Sequence, residues 1–99
     1  MKEGITPTSR VRINDDVVFR DLQGEIVLLN LKTGVYFGLD PMGTRIWHLI
    51  REKQSLQEVL DALLEEYEVT EAQCSQDLFY LVARMAEKEL VEITDRATP

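Results

Sequence analysis

Between Val17 and Leu39 the chain reads "VVFRDLQGEIVLLNLKTGVYFGL", three short runs rich in Val, Ile, Leu, Phe and Tyr. They are broken at Gln23-Gly24 and at Lys32-Thr33-Gly34, turn positions where Gly can take a left-handed conformation. The pattern predicts antiparallel strands over 17–22, 25–30 and 35–39. Ahead of them, MKEGITPTS carries a Gly, a Pro and small polar residues without period, and reads as a flexible arm over 1–9.

From Asp40 onward the apolar spacing becomes helical. Asp40 can accept hydrogen bonds from a first helical turn, and Pro41 suits the first helical position because its missing N–H has no partner there; a helix over 41–52 follows. Ser55 with Glu58 forms a capping pattern before Leu56, Val59, Leu60, Leu63, Leu64 and Tyr67, which predicts a helix over 56–67. Thr70 with Gln73 repeats the pattern before a stretch free of Gly and Pro, which predicts a longer helix over 71–89. "LVEIT", 90–94, reads as a short closing strand, and the tail 95–99 as frayed.

Ninety-nine residues with 44% hydrophobic and 29% charged side chains suit one globular domain with its own core, folded over 10–94. No apolar run approaches the roughly 18 residues a membrane span needs, and the first nine residues do not resemble a secretory signal. A single cysteine, Cys74, cannot form an internal disulfide, so a reducing cytoplasm is the expected compartment. The net charge of −7, from 18 acids and 11 bases, repels phosphate backbones and argues against nucleic acid as a partner.

Two places carry spare apolar surface. On a helical wheel Leu81, Met85, Leu78, Val82, Ala86, Phe79 and Ala83 cover an arc of about 200°, wider than one core requires. Leu78, Val82, Phe79 and Ala86 form its centre and read as core. Leu81 and Met85 form a margin bordered by Asp77, Arg84 and Lys88. Either the helix packs on two sides, or this margin is the wall of a groove. The second place is Val35 to Leu39, an edge strand of a simple meander that lacks the Lys, Pro or inward charge guarding most edges. Gly38 would also let another backbone come close. Either a helix of the same domain covers this edge, or another chain does.

Candidates for chemistry are few. His48 and Cys74 do not make a metal-ligand set, so no metal or cofactor is expected. Cys74 has no evident base beside it and reads as a small buried thiol. Asp15-Asp16 and Glu65-Glu66 read as solvated acids, and Ile46 and Trp47 as core. Catalysis by this chain alone is not expected.

Residues 27–50, "VLLNLKTGVYFGLDPMGTRIWHLI", followed by "SLQEVLDALLEEYEV" and "DLFYLVARMAEKELV", resemble the PqqD-like family, the peptide chaperones also called RiPP recognition elements. The Thr33-Gly34-Val35-Tyr36-Phe37 hairpin, Gly43 followed by Ile46-Trp47, Tyr67-Glu68-Val69 and the segment from Asp77 carry that likeness, over about residues 17–93. Asp40 stands where Asn is usual, and Glu89 where a Gly commonly precedes the last Leu-Val, which puts the turn after the third helix in question. The hairpin and Gly-x-x-Ile-Trp are most similar to the free-standing leader-binding protein of lasso-peptide clusters.

The resemblance implies an α+β, winged-helix-like fold, a three-stranded antiparallel sheet followed by a three-helix bundle. It implies a job as well: binding the leader of a ribosomally made precursor as a further strand along 35–39, in the groove beside the third helix. The binding residues would be Val35, Tyr36, Phe37 and Gly38 on the strand, with Leu81 and Met85 beside the pockets and Asp77 and Arg84 fixing polar leader atoms. A separate leader protease or other maturation enzyme is the implied second partner. Two alternatives stand beside this: a winged-helix DNA-binding regulator, and a partner of a radical enzyme in PQQ synthesis. The second helix, with Glu58, Asp61, Glu65 and Glu66 and no base, speaks against the DNA reader.

Overall fold

The computed structural model describes residues 9–95. The elements run β1 (Ser9–Ile13), β2 (Val17–Leu22), β3 (Glu25–Asn30), β4 (Tyr36–Gly38), α1 (Pro41–Lys53), α2 (Leu56–Glu66), α3 (Glu71–Glu87) and β5 (Val91–Asp95). Each helix starts where a cap was expected. The side chain of Asp40 accepts from Gly43 N at 2.8 Å, that of Ser55 from Glu58 N at 3.4 Å and that of Thr70 from Gln73 N at 3.1 Å. These bonds satisfy amides that a first helical turn leaves without a partner.

The three-stranded antiparallel sheet has the order β2-β3-β4, with Leu28 of β3 facing Phe19 on one side and Phe37 on the other. Its inner face supplies the wholly buried Ile26 and Leu28, which pack with Trp47, Ile50, Leu60 and Leu78 from the three helices. Burial of each such side chain contributes about 1.5–3 kcal/mol.

A second sheet was not anticipated. β1 pairs antiparallel with β5, Val11 opposite Ile93, so Ser9 belongs to a strand rather than to the arm, and Asp95 closes a strand rather than opening the tail. The rest of the expected arm, 1–8, and of the expected tail, 96–99, lie outside the described residues. Ser9, Val11 and Ile13 turn inward while Arg10 and Arg12 turn out, a period of two too short to stand out beside the arm.

Asn30 joins the sheet to the end of α3. It is 1% exposed; its Nδ2 donates to Glu89 O at 2.7 Å, and its Oδ1 accepts from Lys32 N at 2.8 Å and Thr33 N at 3.1 Å. One amide therefore closes the turn into β4 and holds the helix end against the same turn. Arg45 of α1 and Glu66 of α2 form a bidentate pair, one arm of which is Nε to Oε1 at 2.9 Å. The guanidinium holds the Glu66 carboxyl below its ordinary range, so what stability this clamp adds is present above the ordinary Glu range and fades as pH falls through the lowered value.

Glu89 takes the left-handed conformation, φ 61°, that a Gly adopts freely. Its side chain is exposed, and its carbonyl carries the bond to Asn30. Glu89→Gly is expected to relieve the backbone strain and raise stability by about 0.5–1 kcal/mol, or ~2–8 °C in Tm for a domain of this size. A thermal melt followed by circular dichroism checks it.

Candidate functional site

The hydrogen-bond phase of β4 decides what its outer border offers. Asn30 N–H donates to Val35 O at 3.0 Å, and Leu39 N–H donates to Ile26 O at 2.8 Å. Residues 30 and 35, and 26 and 39, are thus hydrogen-bonded pairs, and strict alternation puts Leu28 and Phe37 in the same phase. Val35, Phe37 and Leu39 turn their backbone groups toward β3. Tyr36 and Gly38 turn theirs outward, and among the described residues no strand takes them up.

The side chains alternate with the same logic. Phe37 points to the core side and is half-buried, whereas Tyr36 points to the opposite face and is 70% exposed. Val35 is half-buried at the start of the strand. Across the trough from Phe37 runs one flank of α3, where Asp77, Leu81 and Arg84 recur at i, i+4 and i+7. The Arg84 guanidinium lies 5.6 Å from the centre of the Phe37 ring and 5.8 Å from that of Tyr80, and its Nη1 donates to the Tyr80 hydroxyl at 3.4 Å. A cation over an aromatic face is attracted by the ring quadrupole, so Arg84 bridges the trough from helix to strand. Leu81 is half-buried beside it, and Asp77 is exposed, with Oδ1 accepting from Gln73 Nε2 at 2.9 Å.

Met85 does not stand at the margin of the trough as expected. It is wholly buried, and the core stripe of α3 is Cys74, Leu78, Val82 and Met85, while Phe79 and Ala86, expected at the centre, are only half-buried. The helix is rotated about its axis relative to the sequence reading. The turn after α3 is tied down at that end: Leu90 N–H donates to Met85 O at 2.9 Å, and Glu89 O accepts from Asn30 Nδ2 at 2.7 Å and from Asn14 Nδ2 at 3.2 Å. The flank of α3 that faces β4 is consequently that of Leu81 and Arg84, while Met85 belongs to the core.

Sequence reasoning missed the outer face of the sheet. Val18, Val27, Leu29 and Tyr36 line a shallow hollow there, next to the same free border. The signal was present in the alternation of "EIVLLN", whose Ile26, Leu28 and Asn30 are buried and whose Val27 and Leu29 are half-exposed.

The remaining reactive groups lie elsewhere. Cys74 is buried, and burial together with the nearby Asp77 charge pushes its thiol up, away from the thiolate a nucleophile needs. His48 packs edge-on against Phe19, their ring centres 6.4 Å apart. Among the described residues no group of three or more His, Cys, Asp or Glu is placed to hold a metal, and no helix is long and apolar enough to cross a membrane.

A family model described as coenzyme PQQ synthesis protein D (PqqD) matches residues 25–91. No curated protein matches the chain. Among solved structures the chain is similar to TbiB1 in complex with the TbiA(beta) leader peptide, at 43% identity and a TM-score of 0.78, covering 82% of this chain and 94% of that one. It shares its fold with lasso peptide synthetase B1 complexed with the leader peptide, at 23% identity and a TM-score of 0.75, covering 84% of this chain and 98% of that one.

Proposed function

The chain belongs to the PqqD family, and from that premise we propose that it captures the leader of a ribosomally made precursor peptide as a strand added to β4, beside α3, and presents the rest of the precursor to a separate maturation enzyme. It is a binding protein without catalysis of its own, acting in the reducing cytoplasm that its lone buried thiol suits. The observation that carries this reading is the outward-turned backbone of Tyr36 and Gly38, unpaired among the described residues, alongside the Leu81 and Arg84 flank of α3. The likeness to TbiB1, solved with a leader peptide bound, supports it. Within this reading the favoured pathway is lasso-peptide synthesis and the favoured enzyme a leader protease, because the Thr33-Gly34-x-Tyr36 hairpin and Gly43-x-x-Ile46-Trp47 resemble that branch more than the PQQ branch.

Magnitudes divide the labour between edge and trough. Two outward residues offer about four backbone hydrogen bonds, roughly 2–6 kcal/mol net, whereas ordering five leader residues costs about 5–10 kcal/mol. Pairing alone does not hold the peptide. An affinity near micromolar, about −8 kcal/mol, needs apolar leader side chains sunk beside Phe37 and Leu81 at about 1.5–3 kcal/mol each. The edge sets direction and register; the trough supplies affinity and choice.

The test is a titration of isotopically labelled protein with a synthetic leader of the cognate precursor. Amide shifts centred on 35–39 and 77–85 are expected, and a response confined to α2 would refute the reading. Arg84→Ala removes both the bridge to Phe37 and a charged donor facing the leader. It is expected to weaken capture about tenfold, the equivalent of ~1.4 kcal/mol, while Asp77→Ala, already hydrogen-bonded within α3, costs less. Calorimetric titration of the two variants measures both.

A further inference from the structure

Gly38 is the one residue of β4 without a side chain, and nothing among the described residues requires that. Its φ lies outside the left-handed region, and a Cβ built there would meet no atom within 4 Å. Glycine weakens a strand interior, so a strand glycine in ordinary conformation with open space above it points to something that comes in from outside. The space is an open hollow of about 330 Å³, lined beside Gly38 by Leu22, Glu25, Ile26, Val27, Leu39 and Asp40. Leu22 and Val27 supply hydrocarbon side chains on this face, while Ile26 and Leu39 turn theirs into the core and leave only backbone toward the hollow. The other two, Glu25 and Asp40, are exposed carboxylates that form no ion pair among the described residues, and Asp40 commits only Oδ1 to its helix cap.

We infer that this hollow is a side-chain subsite that selects a lysine or arginine of the leader at the position paired with Gly38. The inference rests on β4 being the leader-pairing edge. A residue directly opposite Gly38 in an added strand exchanges backbone hydrogen bonds with it and carries its side chain on the same face, over the hollow. Lys and Arg lay an aliphatic stem along apolar surface and keep the charged head wet, which matches Leu22 and Val27 beside two carboxylates. A purely apolar occupant would cover those carboxylates without pairing them, an unfavourable exchange. In the antiparallel sense, the better of the two pairings, the next leader residue faces Phe37 and the α3 trough and must be apolar. The one after it stands opposite Tyr36 on the outer face. The subsite therefore reads a basic residue followed at once by an apolar one, and fixes the register of the pairing.

The experiment selects binders from a random nonapeptide display library against the whole protein, against Glu25→Gln/Asp40→Asn, against Gly38→Val and against Tyr36→Pro. Asn caps a helix as well as Asp does, and Val at position 38 enters open space in a residue type strands favour, so both binding-site variants fold. Wild-type binders are expected to carry Lys or Arg at one position with an apolar residue after it. Their affinity should fall about three- to tenfold for Glu25→Gln/Asp40→Asn, less so at high salt, and Gly38→Val should replace the basic residue by a small one. Binders that Tyr36→Pro abolishes, but that show no basic preference or keep it undiminished against the charge-neutral variant, overturn the subsite and leave the edge reading standing. A selection that yields no binder, or only binders indifferent to Tyr36→Pro, overturns the edge reading and the subsite with it.

Discussion

Tyr36→Pro is expected to weaken leader capture about 30- to 100-fold while the domain stays folded. Tyr36 is one of two residues in β4 whose N–H leaves the sheet, so its replacement by proline removes no bond to β3. It removes a donor from the outer border and puts a ring where an incoming strand must lie, which costs one pairing bond outright and disturbs its neighbour. With the apolar contact of the Tyr36 ring also lost, about 2–2.7 kcal/mol disappears from binding, the equivalent of that factor. Tyr36→Thr, which keeps the N–H and suits a strand, should lose only the ring contact and weaken capture several-fold.

The contrasting variant one residue along makes the phase itself the object of the test. Phe37 turns its N–H inward to Leu28 and its ring onto the core, so Phe37→Pro breaks the sheet and should destabilise the whole domain by about 3 kcal/mol or more. Circular dichroism and a thermal melt separate the two outcomes, and binding is then measured by fluorescence anisotropy on whichever variant is folded. A folded Tyr36→Pro protein with wild-type affinity would mean that the leader does not pair with this border.

What the sequence made legible was local. Asp40, Ser55 and Thr70 cap their helices because a short oxygen-bearing side chain three residues ahead of a free amide needs nothing from the rest of the chain. The β2–β3–β4 meander was legible for the same reason, its turns marked by Gly24 and Gly34, both with positive φ. The pairing of β1 with β5 joins residues about 80 positions apart through two short alternating runs, and no local signal says that such runs meet. The free border of β4 could be suspected from its missing guards, but the phase that turns Tyr36 outward and Phe37 inward depends on Asn30 and Leu39 closing the hairpin ends. Met85 was misplaced because periodicity supplies an apolar arc and not its rotation against a neighbour. The end of α3 is tied to other elements through Glu89 O, which accepts from Asn30 and from Asn14, contacts that nothing nearby in sequence announces.

Asn30→Asp should therefore act on the trough without touching any residue that lines it. The replacement keeps an acceptor for Lys32 N and Thr33 N, so the turn into β4 survives, but it turns the nearer of the two donors to Glu89 O, the other being Asn14 Nδ2 at 3.2 Å, into a carboxylate oxygen facing a carbonyl at 2.7 Å. One part-buried hydrogen bond becomes a repulsive contact beside a residue only 1% exposed, a loss of about 2–4 kcal/mol, or on the order of 10–20 °C in Tm. Burial and the facing Glu89 carbonyl raise the pKa of the new carboxyl in the folded state, against the smaller opposite pull of the Lys32 and Thr33 N–H donors, and the protonated form can again donate to Glu89 O. Measured as a difference from wild type, the destabilisation should be greatest at neutral pH and shrink as pH falls through that raised value. Asn30→Ala, which loses all three bonds and gains no titratable group, should be destabilised by a similar amount at every pH. Denaturant melts across the acid range distinguish the two. An Asn30→Asp protein whose deficit does not vary with pH would show that the amide serves the hairpin turn alone, and that other contacts hold the end of α3 against the sheet.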